Sequence, residues 1–81
     1  SFSVYLNPVA SDAYFTLFSS DAQMCEIALF DLEGTEILRD GQILKPGQNE
    51  GSLNVEGLSP GIYLMQMKMT CGVFWTKIIK Q

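Results

Sequence analysis

The side chains with the most reactive chemistry in this 81-residue chain are two cysteines, Cys25 and Cys71, and nine carboxylates. A thiol becomes a nucleophile when a neighbouring base takes its proton or a nearby cation holds its thiolate. The chain has no histidine, which removes the Ser-His and Cys-His dyads and every histidine-containing zinc site. Two thiolates cannot by themselves fill a four-ligand zinc site. Neither cysteine has a cluster of bases beside it in sequence, so a catalytic thiol is not expected.

The acids all lie between Asp12 and Glu56, mostly near turns or at alternate, outward positions. Glycoside hydrolysis needs two carboxylates facing each other across a cleft, and nothing in this pattern sets up such a pair. Met65, Met67 and Met69 could serve a soft metal only with histidine or cysteine close by, and filling irregular core gaps is the simpler use of thioethers. Trp75 could stack on a sugar, but a lone tryptophan in an apolar strand belongs in the core. No enzyme activity, cofactor or metal site is expected.

The elements that would carry these residues repeat with a period of two, the mark of strands, and no window shows a helical stripe. Strands are predicted over residues 2–6, 13–18, 24–31, 36–40, 51–55, 63–69 and 73–80. Short turns at Asn7-Pro8, Ser19-Ser20-Asp21, Leu32-Glu33-Gly34-Thr35 and Thr70-Cys71-Gly72 separate them, with a longer loop through Lys45-Pro46-Gly47. The fold class is therefore all-β, a Greek-key β-sandwich of about seven strands with an immunoglobulin-like plan. Alternation places Ala13, Phe15 and Leu17 on one face of the second strand, and Cys25, Ile27 and Leu29 on one face of the third. Tyr63 and the three methionines share the inward face of the sixth.

"GLSPGIYLM" (57–65) explains itself physically. Pro60 presets a turn, Gly61 supplies positive φ, and Tyr63 follows two residues later. A tyrosine so placed can send its hydroxyl back to the backbone and tie the corner down. Cys25 and Cys71 leave two readings open. If the third and sixth strands are neighbours, a Cys25–Cys71 disulfide can form, and closing so long a loop would stabilise by ~4 kcal/mol on the chain-entropy account. Otherwise the two are separate thiols behaving as small hydrophobes.

One domain of this length buries somewhat over ~60% of its unfolded surface, enough for a thin core. A hydrophobic fraction of 47% is that of a globular chain. There is no apolar run of transmembrane length and no signal peptide. The start at Ser1 suggests a segment excised from a larger, exported protein. A net charge of −4 argues against nucleic acid as a partner. The charge is uneven: residues 1–56 carry two bases against nine acids (−7), and residues 57–81 carry three lysines and no acid (+3). The last strand is apolar on both faces, with Val73, Trp75 and Ile79 on one and Phe74 and Ile78 on the other. It is either covered on both sides or exposes apolar surface meant for a partner.

Four pieces occur in order: "YLNPVASD" (5–12), "IALFDLEG" (27–34), "GLSPGIYLM" (57–65) and "TKIIKQ" (76–81). Together they resemble the C-terminal sorting domain of cargo proteins of the type IX secretion system of Bacteroidetes, over nearly the whole chain. By position, Asn7-Pro8 matches that family's early turn, Asp31 and Gly34 its Asp-x-x-Gly turn, and Leu58, Gly61 and Tyr63 its corner. Lys77 and Lys80 match its terminal basic residues. Leu6, Thr35 and a long loop over residues 42–48 depart from the pattern.

The resemblance implies a C-terminal secretion signal joined to an N-terminal cargo. It implies an immunoglobulin-like sandwich that crosses the periplasm and is read by the outer-membrane translocon and a sortase, leaving the cargo at the cell surface or in the medium. The segment expected to be read is Lys77, Ile78, Ile79, Lys80 and Gln81. The same strand could exchange between copies to give a homodimer. The alternative is a generic immunoglobulin-like spacer or adhesion module of a surface protein.

Overall fold

The computed structural model describes residues 2–5 and 10–81, with side chains from Ala10 onward. Leu6 and the Asn7-Pro8 turn lie outside the described residues. The chain forms β1 (Phe2–Tyr5), β2 (Asp12–Ser19), β3 (Gln23–Phe30), β4 (Glu36–Leu44), β5 (Gly47–Asn54), β6 (Gly61–Met69) and β7 (Gly72–Lys80). They build a three-stranded sheet, β1-β2-β5, and a four-stranded sheet, β4-β3-β6-β7. Every pairing is antiparallel. β2 with β5 and β3 with β6 pair across crossovers between the sheets, which is the Greek-key arrangement. In a constant-type immunoglobulin domain the fourth strand belongs with the first sheet; here it has moved to the edge of the second.

The alternation expected for the core strands is what the structure has. Ala13, Phe15 and Leu17 of β2 face Cys25, Ile27 and Leu29 of β3, with Met65 and Met67 of β6 and Ile78 of β7 closing the same core. Tyr63 and Met69 pack against its margin. The thioethers fill the space between the sheets, as their flexibility allows.

The segment after residue 40 differs from expectation. The predicted long loop is strand: β4 runs on to Leu44, β5 begins at Gly47, and only Lys45 and Pro46 join them. A corner so short leaves backbone groups unpaired, and Asn49 satisfies them. Its Oδ1 accepts the Lys45 amide at 3.1 Å, and its Nδ2 donates to the carbonyls of Lys45 (2.9 Å) and Gly47 (3.1 Å). Asn49 is only 6% exposed, so these bonds also satisfy a buried amide that could not otherwise stay in the core.

β5 carries a second local requirement. Gly51 stands directly opposite Phe15, and a Cβ there would sit 2.5 Å from the Phe15 ring. Phe15 is fully buried and has no room to retreat. Gly51→Ala is expected to destabilise the domain by ~1–3 kcal/mol through overpacking. Denaturant titration measures it, and an unchanged midpoint would show that the ring is not held in place.

Candidate functional site

The tail residues singled out from the sequence are strand, not helix. β7 pairs with β6 along its whole length, from Met69↔Gly72 to Gly61↔Lys80. Among the described strands it stands last in its sheet. Its two faces have different fates. Ile78 points into the core, and Lys80 follows it on the same side, only 8% exposed, with its Nζ donating to the Gln81 carbonyl at 2.8 Å. Lys77 and Gln81 are exposed and Ile79 is half-buried. The expected recognition segment is therefore split: Lys77, Ile79 and Gln81 are reachable by a partner, whereas Ile78 and Lys80 are enclosed. Period-two alternation is the cause, since Ile78 and Lys80 share parity with the core-filling side of the strand.

Two turns position this tail. Tyr63 donates its hydroxyl to the Ser59 carbonyl at 2.6 Å, closing the corner proposed for it. The Leu58 amide bonds the Val55 carbonyl at 3.0 Å, and the Leu58 side chain rests on the core. Gly61 takes φ 154°, a value open essentially to glycine. At the end of β3, Asp31 accepts the amides of Glu33 and Thr35 through one carboxylate oxygen, each at 2.9 Å. Gly34 in that turn has φ 88°. Because Phe30 pairs with Leu64, and Leu64 with Lys77, both turns and the tail lie at one end of the four-stranded sheet. The structure thus gathers Asp31, Gly34, Leu58, Gly61, Tyr63 and residues 77–81 from distant parts of the chain.

Cys25 and Cys71 are at the other end and are free. The disulfide considered for them is not made. Cys25 is sealed in the core, and Cys71 lies exposed in the β6–β7 turn, beyond the last core position of β6. Burial, helped by the Glu26 carboxylate, pushes the Cys25 thiol up to about 11, so it stays protonated and unreactive at neutral pH.

Trp75 corrects another expectation. It is not a core residue but 52% exposed, on the outward side of β7. Its ring reaches across β6 to Phe30, with centroids 5.6 Å apart and planes at 47°. Sequence periodicity gave no sign of this, because Phe74 and Trp75 are both aromatic and parity alone does not say which of them turns inward. Along the same outward face, Arg39 bonds Glu26 at 2.8 Å and also grips both oxygens of Glu36. The guanidinium's hydrogen bonds hold the Glu36 carboxyl below its ordinary range. A carboxyl so lowered favours folding above its unfolded range, and that contribution is lost as acid protonates it.

A cavity of about 420 Å³ lies beside the β6–β7 turn, lined by Leu17, Phe18, Gln23, Met69, Phe74 and Trp75 among others. No carboxylate or amine lines it, so it offers no acid–base pair. Gln23 is engaged already: its Oε1 accepts from the Thr70 amide and hydroxyl, at 2.9 and 2.8 Å. Among the described residues no cluster of histidine, cysteine and acid side chains could hold a metal.

Two outcomes check this geometry. Tyr63→Phe removes one hydrogen bond to the corner and should cost ~0.5–1.5 kcal/mol of stability, read by thermal or denaturant unfolding. Native protein at pH 8 should take up one equivalent of iodoacetamide, at Cys71, and a second only after unfolding. Rapid modification of Cys25 in native protein would contradict its enclosure.

The family model described as the secretion system C-terminal sorting domain matches residues 3–81. No curated protein matches the chain. The corner, the Asp31 turn and the basic tail that carried the resemblance occupy one end of one sheet, and the match spans nearly all of the chain. The chain belongs to the family of C-terminal sorting domains, the signals by which type IX secretion exports an attached cargo to the cell surface or the medium.

Proposed function

We propose that the chain is the terminal domain of a larger exported protein and that its reading point is the exposed side of the β7 end. The domain acts as a label and not as a catalyst. It folds in the periplasm, is engaged there by the outer-membrane translocon and then by a sortase, and leaves with or is cut from its N-terminal cargo.

The observation that carries this reading is the division of β7. One set of its side chains completes the core, while Lys77, Ile79 and Gln81 face outward at the end where the family's turns converge. A receptor laid against this side of β7 would draw its side-chain selection from the alternate residues Lys77, Ile79 and Gln81. Carboxylates on the receptor would suit the exposed Lys77. In isolation, the last strand could exchange between two copies instead, giving a strand-exchanged homodimer.

The test is export of a reporter fused ahead of this domain in a type IX secreting host. Lys77→Glu should abolish surface delivery while leaving the melting temperature nearly unchanged. Delivery of that variant at the level of the parent would reject the reading point.

A further inference from the structure

The outward face of the four-stranded sheet is unlike the usual solvent face of an antiparallel sandwich, where polar side chains alternate outward. Pairing registers place Ile43 and Met24 side by side at one end. Glu26, Lys68 and Val73 follow, then Arg39, Ala28, Gln66 and Trp75, then Phe30, Leu64 and Lys77, with Ile62 and Ile79 last. Of these, Met24, Ile43, Ile62, Val73 and Trp75 are large apolar side chains left exposed, Ile43 to 77%. They outnumber the exposed large apolar residues found elsewhere among the described residues: Tyr14, Phe18, Leu32 and Phe74. Exposed apolar residues gathered on one face mark an interaction surface.

The charge of this face points to what covers it. Arg39, Lys68 and Lys77 stand against Glu26 and Glu36, an excess of one positive charge on a chain whose net charge is −4. Both acids bond the one Arg39, so the β3–β4 half keeps a single negative charge and the positive excess lies on the β6–β7 half. The β6–β7 half presents ammonium groups beside Val73 and Trp75. A second copy would meet this face with the same positive excess. An anionic bilayer would gain only ~1 kcal/mol per lysine from so few cations.

We infer that the outward face of β4-β3-β6-β7 is a docking platform for a second protein with an apolar face bordered by carboxylates. This rests on the sorting-signal reading and adds to it: the partner belongs to the export machinery and reads the folded sheet as well as the chain's tail.

The reporter fusion tests the platform with substitutions away from the β7 end. A variant combining Met24→Ser, Ile43→Ser and Trp75→Ser should cut export at least ~tenfold, as loss of an interface centre does, with the parent's circular dichroism and a melting temperature still above that of the assay. Lys68→Glu should also lower export, and Lys68→Arg should retain it. Tyr14→Ser, the loss of an exposed aromatic ring on the other sheet, should export normally. Full export of the triple-serine variant overturns the platform while leaving the sorting signal standing, whereas a parent fusion that stays inside the cell overturns both. Two further results on the purified domain also overturn it. One is dimerisation in sedimentation that the triple variant abolishes, which assigns the face to a second copy. The other is binding to anionic phospholipid vesicles that the triple variant abolishes, which assigns it to a bilayer.

Discussion

β6 holds this domain together. It is bonded on one side to β3, through Glu26↔Lys68 to Phe30↔Leu64, and on the other to β7 over its full length. Met65 and Met67 project from it into the centre of the core. Among the described strands β7 joins its sheet through β6, so the register between them sets where the tail lies. That register is set where β6 begins, by the Gly61 backbone and the hydrogen bond from Tyr63 to Ser59. One missing bond there would loosen the start of β6, and with it Lys80, which pairs with Gly61.

Much of this plan was legible from residue types. Period-two alternation named the inward sides of β2, β3 and β6, because a residue facing the core must be apolar whatever its neighbours are. The two turns were legible because glycine and proline restrict φ in ways that a short segment displays by itself. The tail's strand character followed from its β-branched and aromatic residues.

What escaped has a common cause: the deciding partner was far away in sequence. Gly41, Pro46 and Gly47 read as loop, yet Asn49 bonds the corner and β3 pairs β4 through to Leu44. Trp75 read as core, yet parity with Lys77 and Ile79 put it outside. Lys80 read as a displayed cation, yet parity with Ile78 carried it inward. A Cys25–Cys71 bridge required both thiols on one side of neighbouring strands, and the turn after Met69 carried Cys71 out into solvent. The outward platform was invisible for the same reason, since its residues come from four strands and share a surface only once the registers are known.

The double use of β7 has an operational meaning. Its inward side chains reach their places only when both sheets have closed, and the outward ones acquire fixed spacing by the same event. An unfolded chain would offer identical residues in no particular arrangement. A partner that gripped such a strand would therefore, in the same act, be testing that this domain had closed, without any separate inspection step.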